Sequence, residues 1–328
     1  MIAKAKAPVE RPGPKSPDAK FALSDRTLPQ MDRTALTLSM ISPIERLPYR
    51  QSKSVGTLIL FRITARTVLE LGSELISSDI IAFYELIKNG FDAGTKNGVE
   101  VRFDIVLTKA IGQRLGRDAL KIDPKDENSA RSLTELKAVL DGEILDSASK
   151  DARASFRALL NAAVSPVALA DAITEGMRRF NTITIKDTGS GMSAGDLEDN
   201  FLVIGTGSRK KAIDAALASG TAKAPYLGEK GIGRLSAMRL GEQLRVNTAK
   251  ISDVRFNVLE IDWKIFNTVD AMLDEIDVKP SVGDPKPSPE WSGTNIVIGD
   301  LTENWFKERV FEMGDREFSR LTDPFEDP

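Results

Sequence analysis

The chain has 328 residues, 41% hydrophobic and 28% charged, with a formal net charge of −3, enough for one large domain or two modest ones with a sizeable core. The slightly acidic balance argues against a protein held to nucleic acid by bulk charge. The chain contains no cysteine and no histidine. That excludes disulfides, thiolate zinc sites, an imidazole base, a Ser-His-Asp triad and a phospho-accepting histidine, and leaves acid–base chemistry to carboxylates, lysines or water.

No apolar run reaches the roughly 18 residues needed to span a bilayer. The opening MIAKAKAPVERPGPKSP is basic without the apolar stretch of a secretory signal, so a cytoplasmic protein with no membrane partner is expected. Residues 1–52, rich in Pro, Lys, Arg and Ser, read as a disordered or strap-like arm. Val55–Ile63 reads as a strand. Ser77-Ser78-Asp79 supplies helix caps ahead of a mostly apolar helix over Ile80–Phe91, and VEVRFDIVL, Val99–Leu107, alternates as a strand.

From 111 to 179 the chain is charged and rich in Ala and Leu, which predicts two or three helices forming an insertion. TITIK, Thr182–Lys186, is a strand ending at Asp187, and Ser193 with Asp196 three residues on has the capping-box spacing that opens a helix. Residues 205–233, dense in Gly, Ser, Lys and Ala, read as a mobile loop. Arg234–Leu240 should be helical with Gly241 as its stop, followed by strands near 242–249, 254–263 and 294–298 and an amphipathic helix over about 303–321. The expected architecture is α+β: a two-layer sandwich of one mixed sheet with helices on one face, its strands joined by hairpins as well as crossovers.

Four constellations can carry chemistry. In ELIKNGFDA, Glu85, Asn89 and Asp92 stand at i, i+4 and i+7 and share a helix face. An Asn one turn beyond a Glu suits Mg²⁺, which takes few protein oxygens alongside water and phosphate, and leaves the Glu to polarise a water; a solvated helix face is the plain alternative. DTGSGM, directly after a strand, lets the backbone approach a flat ligand, with Asp187 able to accept from an adenine amino group and Met192 able to touch the ring. A tight Asp-Gly turn accounts for it equally.

In GEKGIGR, Gly228, Gly231 and Gly233 free backbone N–H groups ahead of a helix to wrap phosphate oxygens, without the dinucleotide fingerprint or the GK[ST] ending of a P-loop. A flexible glycine loop is the competing reading. Gly293-Thr294 at the start of a strand could join a water network with Asp187, or simply place a β-branched residue in a strand.

Taken in this order, the four blocks resemble the GHKL superfamily, with its Bergerat ATP-binding fold, over residues 55 to 321. ELIKNGFDA, IGTGSRK and LGEKGIGRLSAMRLG look most like bacterial Hsp90-like or histidine-kinase-like ATP-binding proteins, with microrchidia and MutL proteins more distant. The resemblance implies ATP and Mg²⁺ as ligands, Glu85 as general base and Asn89 as the metal ligand. It implies that Asp92 shapes the pocket, that Asp187 reads adenine amid Gly189, Gly191 and Met192, and that Thr294 supports it through water. Gly228, Gly231 and Gly233, with Lys230 nearby, would enclose the phosphates, and 205–233, including Ser208, Arg209 and Lys210, would form an ATP lid.

On this reading 53–328 is one ATP-binding domain, the N-terminal part of a longer protein. It binds ATP, hydrolyses it slowly and dimerises on binding, with its protein or nucleic-acid client unidentified. Glu85 and the absence of histidine favour hydrolysis over phosphotransfer to a histidine. Hydrolytic relatives usually borrow a lysine from a second domain, so the isolated piece is expected to turn over slowly. A non-catalytic nucleotide sensor, or a histidine-kinase-like signalling domain, is the alternative.

Overall fold

The computed structural model describes residues 2–5, 62–201, 235–267 and 271–318. Its centre is one sheet of β1 (Ile2–Ala5), β2 (Val99–Asp104), β3 (Thr182–Asp187), β4 (Gly241–Ala249), β5 (Arg255–Asp262), β6 (Ser281–Pro285) and β7 (Gly293–Leu301), in the order β1-β2-β3-β7-β4-β5-β6. Every pairing is antiparallel. The two-layer α+β sandwich is as expected; the sheet is antiparallel rather than mixed, because the helical stretches return the chain beside the strand it left in the opposite direction. Ile2–Ala5, from the stretch read as an arm, forms the edge strand against Val99–Arg102.

Side-chain alternation gives the sheet one buried face. Across β2, β3, β7, β4 and β5, Val101, Ile185, Ile296, Val246 and Leu259 stand opposite one another in one row, and Phe103, Ile183, Ile298, Leu244 and Ile261 in the next. Residues of the other face, such as Lys186, Arg245 and Glu260, are exposed. Onto the apolar face pack α1 (Ala65–Leu75), α2 (Asp79–Asp92), a short α8 (Ser236–Leu240) and α9 (Lys307–Arg316). α2 starts where Ser78 accepts a hydrogen bond from the Ile81 N–H, and it buries Ala82, Phe83, Leu86, Ile87 and Gly90 on one stripe. Phe83, Phe103 and Trp305 join helix, sheet and the entry to α9, with ring centroids 5.1–5.7 Å apart.

The insertion is four helices rather than two or three: α3 (Lys109–Leu120), α4 (Ser129–Glu143), α5 (Lys150–Ala162) and α6 (Pro166–Phe180). Thr108, Ser149 and Ser165 cap three of them through their hydroxyls. They enclose a separate core around Leu115, Leu140, Phe156, Leu169 and Ile173. The buried Asn181 ties off its base: its Oδ1 accepts from the Val106 N–H at 2.9 Å and its Nδ2 donates to the Leu107 carbonyl at 2.8 Å.

Ser193 and Asp196 close the expected capping box at α7 (Ala194–Asp196), which passes at once into a π-helical turn, Leu197–Phe201. Helix α1 and strand β6 were not anticipated. The strand expected over Val55–Ile63 lies outside the described residues apart from Arg62 and Ile63, and the loop 205–233 lies wholly outside them. Among the described residues no helix is long and apolar enough to cross a membrane.

One buried charge links three helices. Asp79, 9% exposed in the first turn of α2, accepts from Arg239 of α8 at 3.0 Å and from Arg309 of α9 at 2.7 Å, and Arg309 also lies over the Trp305 ring. Removing the carboxylate strands two guanidinium groups beside an apolar core. Because both arginines keep partial access to water, the loss for Asp79→Ala falls below that of a fully buried pair, at about 2 kcal/mol. Urea unfolding checks this: a midpoint unchanged from wild type would show that the cluster contributes nothing to stability.

Candidate functional site

Beyond its two apolar rows the inner face of the sheet turns polar. One step further along the strands, the third row across β3, β7, β4 and β5 is Asp187, Thr294, Thr248 and Asn257. Asp187, Thr294 and Thr248 are 9%, 6% and 0% exposed. Three adjacent buried polar side chains, with the half-buried Asn257 beside them, are costly unless each has a partner, and the partners are present.

Asp187 Oδ1 accepts from the Gly189 N–H at 2.8 Å. Thr248 Oγ1 accepts from the Met192 N–H at 2.9 Å, donates to the Gly293 carbonyl at 3.0 Å and meets Thr294 Oγ1 at 3.0 Å. Asn257 Nδ2 donates to the Met192 carbonyl at 3.0 Å and to Asp253 at 3.1 Å. Burial pushes the Asp187 carboxyl up from 3.8 to about 6, partly opposed by backbone hydrogen bonds from Gly189 and Thr294.

The turn after β3 is held from three sides. The Ser190 N–H donates to the Ala93 carbonyl at the end of α2 at 2.9 Å, and the Ser292 hydroxyl donates to the Gly189 carbonyl at 2.8 Å. Thr95 Oγ1 accepts from the Thr188 N–H at 3.1 Å. Gly191 sits at φ 66°, and a Cβ there would overlap the Ala249 carbonyl, so both conformation and space require glycine. Met192 packs its side chain against the main core. Past the turn, Lys250 and the Ser193 hydroxyl hold the Asp196 carboxyl down to about 2.

Helix α2 lies over this end of the sheet. A Cβ on Gly90 would stand 2.6 Å from Val99 Cγ2 and 3.2 Å from Asp187 Cβ, so the helix passes directly beside the buried carboxylate. Glu85, Asn89 and Asp92 are half-buried on this helix. Glu85 pairs with Lys88 at 3.5 Å, and Lys88 lies over the Tyr84 ring.

The structure therefore brings together α2, the turn Asp187–Met192 and Thr294, three stretches distant in sequence. Ser208, Arg209, Lys210, Gly228, Lys230, Gly231 and Gly233 fall outside the described residues. Sequence reasoning missed Thr248, Asn257 and Lys88. Lys88 lies within ELIKNGFDA, whereas the other two sit in strands with no motif around them and become visible only through strand register.

A sandwich whose sheet ends in a polar row with one buried carboxylate, alongside a helix bearing Glu and Asn, suits a ligand that offers hydrogen-bond donors. The sequence model of the family described as histidine kinase-, DNA gyrase B-, and HSP90-like ATPase matches residues 161–284. Over that span the chain is similar to ATPases of this family, and the similarity supports ATP as a ligand. The matched span contains Asp187, Thr248 and Asn257; α2 and Thr294 lie outside it and reach the same place through the fold. No curated protein matches the chain.

Proposed function

We propose that the chain binds ATP with Mg²⁺ at this site and hydrolyses it slowly. The observation that carries the reading is the buried carboxylate of Asp187, set in a polar row beneath α2 with acceptor capacity left for a ligand. Adenine would lie over the turn Gly189–Met192 with its amino group toward Asp187, and Thr294 would accept through water. Asp92 would border the nucleotide.

The side-chain oxygen of Asn89 suits Mg²⁺, which when bound would neutralise charge on the phosphates. Glu85 would take a proton from a water attacking the terminal phosphorus, as the bond to the bridging oxygen breaks and ADP leaves. Residues 205–233, with Ser208, Lys210, Gly228, Lys230, Gly231 and Gly233, would close over the phosphates, and closure would favour dimerisation or engage a following domain.

The alternative is a nucleotide sensor without turnover. The Glu85–Lys88 ion pair favours it, because a carboxylate engaged by a lysine is less available to a water. Calorimetric titration with a non-hydrolysable ATP analogue, with and without Mg²⁺, tests the shared core of both readings. One saturable site per chain, tightened by Mg²⁺, is expected. Absence of binding by folded protein would overturn both.

A further inference from the structure

The hydroxyl network of the polar row has a direction. A threonine hydroxyl carries one proton and two lone pairs. Thr248, fully buried, meets three partners: the Met192 N–H, which can only donate; the Gly293 carbonyl, which can only accept; and the Thr294 hydroxyl, which can do either. One assignment satisfies all three. The Thr248 proton goes to Gly293, its lone pairs take the Met192 N–H and the Thr294 O–H, and Thr294 keeps only lone pairs for anything above it.

The rest of the row agrees. Asn257 directs its amide nitrogen to the Met192 carbonyl and to Asp253, away from the site. An ionised Asp187 has no proton to give, and its Oδ1 already accepts from Gly189. The polar hydrogens of the row are thus spent within the protein, and acceptors remain at Asp187 and Thr294.

We infer that Thr248 is a positioning residue for base selection: by taking up the Thr294 proton it leaves a floor of acceptors that accommodates a 6-aminopurine and rejects a 6-oxopurine. The inference rests on the proposed nucleotide site and deepens it. A 6-oxo group would set a carbonyl oxygen against the Asp187 carboxylate with no proton between them, and the water on Thr294, which must give that acceptor one proton, would have only one left for the base, an arrangement more costly than a missing contact. With Thr248 replaced by an isosteric valine, the Thr294 hydroxyl loses its acceptor and becomes free to donate to that water, which can then turn its own protons toward such an oxygen.

The test is calorimetry with ADP and IDP at pH 7.5, a pair differing at purine position 6 and the adjoining nitrogen. Wild type should favour ADP by at least roughly 100-fold, within the range seen when a site's polar groups are left unpaired. In Thr248→Val the preference should fall at least tenfold, with IDP binding improved outright, and in Thr248→Ser it should return. A merely structural threonine would weaken both nucleotides alike and leave their ratio unchanged, which overturns the inference.

Should Thr248→Val fail to fold, Thr294→Val decides. Loss of the acceptor there should shrink the ratio, and an unchanged ratio overturns the inference. Wild type binding both nucleotides equally defeats the role of Thr248 alone, whereas wild type binding neither defeats the nucleotide site itself.

Discussion

Asp187→Asn should remove nucleotide binding and, at neutral pH, make the empty protein more stable. The two effects share one cause. The carboxylate is 9% exposed and burial raises it from 3.8 to about 6, with the Gly189 and Thr294 N–H groups offsetting only part of the cost. A folded-state value above the unfolded one means that the native protein binds the proton more tightly. The contribution of this group to stability is therefore most favourable below about pH 4, declines as pH rises between 4 and 6, and stays reduced above 6, by about 3 kcal/mol for a shift of this size.

Asparagine keeps the shape and the Gly189 contact without the charge. Its amide protons lack an acceptor in the empty site, which takes back about 1–2 kcal/mol, so a net gain of about 1–2 kcal/mol is expected at pH 7.5 and none at pH 4. The same amide presents a donor to the adenine amino group, and affinity should fall by about 100-fold or more. Urea unfolding at the two pH values and calorimetry with an ATP analogue check both halves. Unchanged affinity removes Asp187 from base recognition, and a pH-independent difference in stability would show that the carboxylate is not desolvated.

Glu85→Gln should separate binding from turnover. The side chain stands on α2 one turn before Asn89, away from the polar row that would hold the base, so nucleotide affinity should change by less than about threefold while phosphate release falls by a factor of about 10² to 10⁴, the usual contribution of a positioned base. Stability should drop by no more than about 1 kcal/mol, since the Glu85–Lys88 pair is partly solvated. Phosphate release at saturating Mg-ATP, run beside calorimetry, is the measurement. Equal turnover in variant and wild type would place the base elsewhere, and no turnover in either would favour the sensor.

Much of the fold was legible because its elements carry strong periodicity. α2 announces itself through the Ser78 cap and the apolar stripe from Ala82 to Ile87, and β2 and β3 through the alternation of VEVRFD and TITIKD. α1 is hard to read from sequence because no side-chain cap marks its start and Gly72, close against Met238, lies within it. β6 is an edge strand, mostly exposed and ending in proline, so no buried face patterns its sequence. The insertion reads as fewer helices than it holds because α3 carries two interior glycines, Gly112 and Gly116, which weaken its helical pattern.

By itself the sequence determined the chemical inventory: no thiol or imidazole anywhere, one Glu/Asn helix face, one Asp at a strand end before two glycines, and a Gly-Thr pair entering a late strand. These are local properties, written in composition and in spacing over a few residues. The tertiary structure alone decided that Asp187, Thr294, Thr248 and Asn257 form one row, that Gly90 lets α2 pass beside it, and that Asp79 gathers arginines from two other helices. Such neighbours depend on strand register and on which helix packs where. Those are settled by burying the two apolar rows of the sheet as a whole, and a single-residue slip would turn the same threonines outward to solvent.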